Sequence, residues 1–314
     1  MQDFSRRDFL KTLRRSLALT GLGLLGTETL VAVEPIKRHG APRLQLSLAA
    51  YSFRDYFKGA NNRDNANTDP ARHIDLFQFI DYCADHGCQG TELTSYYFPS
   101  NVDQDLLIRI KQHAFLRGIA ISGTAVGNTF TVPSGPKRDQ EIANVKRWVD
   151  HAAVMGATHI RIFAGAAPAG MTREQASQLC ISAIEECCDY AGRQGIFLGL
   201  ENHGGIVSNA AEILEIVRAV RSPWLGINLD TGNFHTEDPY ADLARIAPYA
   251  VNVQLKGEIH PQGKDSGPAD LARLVKILCD ANYQGYVALE YESKEDPWTA
   301  VPQLLKRMKG LFPA

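Results

Sequence analysis

The sequence has no surplus of charge: 33 Lys and Arg stand against 35 Asp and Glu, a formal net charge of −2. That balance offers no field for a polyanion and sets nucleic acid aside as a partner. No C-x-x-C pair and no metal-ligand spacing occurs among the six cysteines, at 83, 88, 180, 187, 188 and 279, which excludes a thiolate metal site. The apolar run at 17–25 is too short to span a membrane comfortably. No glycine-rich loop opens a helix as a phosphate cradle would, so a phosphorylated ligand is not called for. What remains is the composition of a soluble globular protein, 45% hydrophobic and 22% charged, in 314 residues. That length accommodates two ordinary domains or one large α/β barrel.

The first 32 residues stand apart. Ser5-Arg6-Arg7-Asp8-Phe9-Leu10-Lys11 precedes the apolar run, a basic start before a short hydrophobic stretch. It resembles a twin-arginine (Tat) export signal. The expected organisation is a signal over 1–32, a linker over 33–43 and one barrel domain over 44–314. The expected location is the periplasm, with the Tat machinery as a transient partner and an uncleaved membrane anchor as the alternative. Cys180, Cys187 and Cys188 fall within one helix and read as small core residues. A bridge between Cys83 and Cys88 is chemically allowed in an oxidising compartment, though nothing in the sequence requires it.

From residue 44 onward short β-rich runs alternate with longer amphipathic ones. Strands are expected at 44–53, 89–94, 119–125, 159–163, 196–205, 225–229, 250–255 and 286–289. Helices are expected at 70–86, with Asp69 as N-cap and Pro70 in the first turn, then at 103–117, 137–155, 172–194, 209–220, 240–247, 268–281 and 297–311. Eight β-α units of ~30 residues, without an antiparallel hairpin signal, predict an α/β fold of the (β/α)8 TIM-barrel kind rather than a doubly wound sheet. In such a barrel the reacting side chains sit at the C-terminal ends of the strands.

Four of the later strands finish on a polar side chain: Glu201 in Ile196 to Gly205 (IFLGLENHGG), Asp230 in LGINLDTGN, Gln254 in AVNVQLKGE and Glu290 in YVALEYE. Carboxylate and amide oxygens converging in this way suit a hard divalent ion, Mn²⁺ or Mg²⁺. Each has an ordinary reading too. Asp230 can form an Asx-turn, Gln254 can be an interior hydrogen-bonding residue, and Glu292 competes with Glu290 on the same face. His203 and Lys256 lie two residues past a tip and are candidates for the substrate pocket, with a loop hydrogen bond for His203 and a partner such as Glu258 for Lys256 as alternatives. Glu92 and Arg161 are charges inside strands that need partners in a barrel, whether sugar hydroxyls or each other's neighbours. Tyr51 and Phe163 could stack on a sugar or simply fill the core.

The tips G-L-E-N-H, N-L-D-T-G, V-Q-L-K and A-L-E, in that order, resemble the metal-binding strand ends of the xylose isomerase-like TIM-barrel superfamily of sugar phosphate isomerases and epimerases. The resemblance covers roughly 44–311. It implies one divalent ion held by Glu201, Asp230, Gln254 and Glu290, with Gln254 standing where a His is usual. It also implies Glu201 and Glu290 as the acid and base of a sugar epimerase, while Asn233 occupies a position where many relatives carry His. The function expected is metal-dependent isomerisation or epimerisation of an unphosphorylated keto-sugar through an enediolate. The runner-up is a 3-keto-glycoside lyase or hydrolase that shares the deprotonation and then expels an aglycone by β-elimination. A non-catalytic sugar-binding barrel is a third possibility. An endonuclease IV-like phosphodiesterase would want a cluster of three metals with several histidines and a basic DNA face, and the sequence supplies neither. Sugar isomerase barrels often pair, so a homo-oligomer is compatible with the resemblance.

Overall fold

The structure is a computed structural model that describes residues 33–57 and 69–313. Among the described residues eight barrel strands alternate with eight α-helices. The strands are β1 (Arg43–Ala49), β2 (Gly90–Thr94), β3 (Ala120–Ala125), β4 (His159–Ile162), β5 (Phe197–Glu201), β6 (Leu225–Asp230), β7 (Ala250–Leu255) and β8 (Gln284–Leu289). The helices are α1 (Leu76–Asp85), α2 (Gln104–Leu116), α3 (Pro136–Met155), α4 (Arg173–Arg193), α5 (Ala210–Ala219), α6 (Pro239–Ile246), α7 (Leu271–Asp280) and α8 (Pro297–Leu311). The strands pair in parallel and close into a barrel in which β1 meets both β2 and β8. This is the expected (β/α)8 barrel. Its outer core, between strands and helices, is built from Leu46, Leu48, Leu198, Ile227 and Val287 with the buried helix faces, Cys180, Cys187 and Cys188 of α4 among them.

Local chemistry explains where the boundaries differ from expectation. Helix α1 starts later than residue 70 because Asp75, not Asp69, caps it: its side chain accepts from Gln78 N while the Gln78 side chain accepts from Asp75 N, a complete capping box. Pro70–Arg72 is a separate 3-10 turn. Strand β1 ends at Ala49, and the Ala50–Phe53 segment coils into another 3-10 turn. A two-residue antiparallel ribbon, Glu258–Ile259 against Gly267–Pro268, interrupts the loop after β7 where no hairpin was expected. Such a short pairing leaves almost no periodicity to read. All six cysteines are free thiols, so the bridge allowed between Cys83 and Cys88 is not formed; the Cys83 thiol instead donates to Thr91 Oγ1.

Residues expected to form a linker lie along the barrel floor, where Ile36 N donates to Pro248 O at 2.9 Å and the Gln284 amide donates to His39 O. The export-signal segment lies outside the described residues. Among the described residues no helix is long and apolar enough to cross a membrane.

The interior of the barrel is polar rather than aliphatic. Ser47 and Ser122 share a 2.8 Å hydrogen bond. His159 is buried between Gly123 and Gly199, where an added Cβ would lie 2.7 Å from Nδ1 on one side and 2.5 Å from Nε2 on the other. Burial, and then Arg161, hold its imidazole neutral with a pKa pushed down to about 3.

Candidate active site

The polar column continues upward to the C-terminal mouth. Asn228 and Asn252 face each other across the β6–β7 register, as do Asp230 and Gln254 two residues further on. The period of two sends both pairs to the same face. Asn252 Nδ2 donates to Glu92 Oε2 and to Asn228 Oδ1, each at 2.8 Å. Gln254 Nε2 donates to Glu92 Oε1 at 2.6 Å, and Gln254 Oε1 accepts from Asn228 Nδ2 at 2.6 Å. Glu92 is thus completely buried with both oxygens occupied by amides. Burial raises its pKa, and those amide hydrogen bonds and Arg161 counter part of the rise.

Above this network stand the three carboxylates of strands β5, β6 and β8. Glu201 ends β5; its Oε1 accepts from Asn233 Nδ2 at 2.8 Å, and its Oε2 lies 2.8 Å from Arg161 Nε, out of line for a hydrogen bond. Arg161 also donates to Val126 O and rests its guanidinium 3.9 Å from the centre of the Phe163 ring, which in turn meets the exposed His203 ring at 4.6 Å. Asp230 ends β6 and accepts from Gly232 N at Oδ1, and Oδ2 has no hydrogen bond among the described residues. Glu290 follows β8 directly. Ser52 pins the backbone on both sides of it, donating to Leu289 O at 3.1 Å and accepting from Tyr291 N at 2.9 Å.

Lys256 reaches up from the end of β7 among these groups. Its ammonium lies 3.3 Å from Asp230 Oδ2 and 3.6 Å from Glu290 Oε2, and it donates to Glu292 Oε2. The partner considered from sequence, Glu258, is replaced by these three. Burial alone would lower the pKa of Lys256, but Asp230, Glu290 and Glu292 outweigh it, so the side chain stays a cation.

Electrostatics set the protons of the site. Burial pushes Glu201 up to about 7, with Arg161 opposing and Glu290 adding to the rise. Burial pushes Asp230 up to about 7 against Lys256, and Glu290 up to about 8 against Lys256 with Asp230 and Glu292 adding to it. Burial and mutual repulsion thus hold all three carboxyls well above the usual carboxylate range.

The expected metal ligands are brought to one mouth, but not as a ligand set. Gln254 spends both amide atoms on the network beneath the site, Glu201 spends both oxygens on Asn233 and Arg161, and the Lys256 ammonium stands between Asp230 and Glu290. Among the described residues no group of three or more His, Cys, Asp or Glu side chains could hold one ion together. These donor atoms fit an ammonium and a guanidinium, and they do not fit a divalent ion. Of the residues expected to bind substrate, Arg161, His203 and Lys256 border the mouth while Glu92 is sealed below it. Asn228 and Asn252 were missed because a lone Asn inside an apolar run carries no periodic signal; Glu292 was weighed only as a rival of Glu290.

Residues 80–309 match the family described as "Xylose isomerase-like TIM barrel". A Xenopus laevis protein described as "Putative hydroxypyruvate isomerase" is 24% identical over 190 residues, 55% of this chain and 68% of that one. The crystal structure of D-psicose 3-epimerase in the presence of D-fructose superposes with a TM-score of 0.65 at 19% identity, covering 83% of this chain and 89% of that one. The apo 3-keto-D-glucoside 4-epimerase of E. coli superposes with a TM-score of 0.63 at 16% identity, covering 85% of this chain and 100% of that one.

Proposed function

We propose, from the premise that this chain belongs to the xylose isomerase-like TIM barrel family, that it is a sugar isomerase or epimerase in which Glu201 and Glu290 move a proton at the carbon beside a carbonyl. The observation that carries the reading is the pair of buried carboxylates at the tips of β5 and β8, raised to about 7 and about 8. Isomerase and epimerase activities in the names of the similar proteins support the class.

A carboxylate near its pKa at working pH can accept a carbon-bound proton and return it. With Glu290 on one face of the sugar and Glu201 on the other, removal by one and delivery by the other inverts the carbon. One carboxylate acting alone, shuttling the proton to the neighbouring carbon, gives aldose–ketose exchange. Ser52 holds Glu290 in place through the backbone, and Arg161 and Asn233 orient Glu201. Phe163 and His203 offer a ring surface beside Arg161 for the sugar. This reading needs no divalent ion, since Glu201 faces Asn233 and Arg161, Gln254 faces Asn228 and Glu92, and Asp230 and Glu290 face Lys256. With residues 1–32 as a twin-arginine signal, the enzyme would act in the periplasm on unphosphorylated sugars.

The test follows carbon-bound hydrogen by NMR in D₂O across ketoses and 3-keto-glucosides. Deuterium entering one position, with an epimer or isomer appearing, is the expected result. Release of a free aglycone would replace this reading with the β-eliminating lyase, and no exchange on any substrate would overturn both.

A further inference from the structure

Lys256 is built into the pocket. Its backbone N donates to Thr231 Oγ1 at 2.8 Å, and its stem lies against Gly232, where an added Cβ would come 2.7 Å from Lys256 Cδ and 3.1 Å from its Cβ. The D-T-G-N turn after β6 is therefore shaped around this side chain. Asn233 Oδ1 stands 3.5 Å from its ammonium, and the residue is only 8% exposed. Asp230 Oδ2, buried and without a hydrogen bond among the described residues, has that ammonium 3.3 Å away. Two residues earlier on the same strand, Gln254 stands where the resemblance implies a His ligand, and its amide is consumed by Asn228 and Glu92.

We propose that the ammonium of Lys256 takes the place of the divalent cation in this barrel, a built-in charge that excludes the ion and makes the centre metal-independent. The two features belong together. An uncharged His would leave the carboxylates to a metal, whereas a lysine amid Asp230, Glu290 and Glu292 competes for the same oxygens, and a second cation beside it is repelled. For its chemistry, though not for the exclusion of metal, the inference rests on the isomerase/epimerase reading. When a carboxylate takes the proton, the C–H electron pair becomes the C=C bond of an enediolate and the carbonyl π pair moves onto oxygen. The ammonium, already in place, donates to that oxygen as its charge develops. Reprotonation of carbon returns the pair, and no oxidant or reductant enters.

The test titrates the full chain, stripped with EDTA, with Mn²⁺ while free Mn²⁺ is read by electron paramagnetic resonance, beside the Lys256→Met and Lys256→Arg variants. Wild type and Lys256→Arg should take up no stoichiometric ion. Lys256→Met, with the carboxylates released, should bind at least about tenfold more tightly than wild type. One Mn²⁺ held per wild-type chain, or a folded Lys256→Met variant with no gain in affinity, overturns the proposal. Should Lys256→Met fail to fold, the wild-type titration decides alone, stoichiometric uptake overturning the proposal and refusal of the ion upholding it. Deuterium exchange is followed in the same samples, and exchange undiminished by EDTA supports the proposal. An absence of exchange in wild type that still refuses the ion sinks the isomerase/epimerase reading and leaves the cation assignment standing.

Discussion

Glu290 is the side chain whose removal separates chemistry from architecture. Among the described residues its carboxylate accepts no hydrogen bond and has Lys256 at 3.6 Å as an ion-pair partner, whereas its backbone is fixed by Ser52 and by the bond from Glu290 N to Leu255 O. Glu290→Gln keeps shape and loses proton acceptance, so deuterium exchange should fall by roughly 10²- to 10⁴-fold while the melting temperature holds or rises. Exchange at the wild-type rate in the variant would remove Glu290 from the mechanism. On the proposed mechanism the activity profile should be bell-shaped, with limbs at about 7 and about 8 for the Glu201 and Glu290 pair. Stability follows the raised-pKa sign. A carboxylate lifted on folding leaves the native state holding the extra proton, so its contribution is complete below the unfolded pKa near 4.5 and is lost as pH rises through about 8 for Glu290. Denaturant titrations from pH 5 to 9 should therefore show the stability of Glu290→Gln gaining on wild type as pH rises, by at most about 1.4 kcal/mol per pH unit.

The mouth is sewn together by side chains that act as extra rungs of the sheet. Asn202 donates to Asp230 O and accepts from Asp230 N, both at 2.9 Å, which carries the β5–β6 pairing one step beyond the strands. Asn128 does the same for the end of β4, bonding Phe163 O and Phe163 N at 2.9 Å each. The turn after β5 then folds back on the loop after β4. Gly205 has φ +59, and an added Cβ there would lie 2.3 Å from Gly165 O, a backbone atom that cannot rotate away. Gly205→Ala should cost roughly 1–3 kcal/mol and lower exchange as well, since His203 lies on that turn; a melting curve and the NMR assay read the two effects. Deeper in the barrel, Asn252→Leu leaves Glu92 Oε2 and Asn228 Oδ1 without their donor. The cost is about 1–3 kcal/mol for each orphaned acceptor, seen as a lowered denaturation midpoint.

Across the whole molecule, the sequence carried the fold openly and the site in part. Eight apolar runs with polar ends are what parallel strands buried on both faces look like, and they closed as expected. That Glu201, Asp230 and Glu290 share one mouth was legible because each stands at the end of an apolar strand, and a parallel barrel gathers those ends on one face. The fate of Gln254 was not legible: whether an amide turns toward the mouth or the interior depends on Glu92, 162 positions away, and no local pattern records that partner. The position of Lys256 between carboxylates from β6 and β8 was hidden for the same reason. That long reach has a bearing on modularity. (β/α)8 barrels lend themselves to thought as two half-barrels of four units each, but here Glu92 belongs to the first half while Asn228, Asn252 and Gln254 belong to the second. A chain cut between β4 and β5 parts a buried carboxylate from its donors in one fragment and strands three amides in the other. The buried polar column thus ties the two halves into one unit.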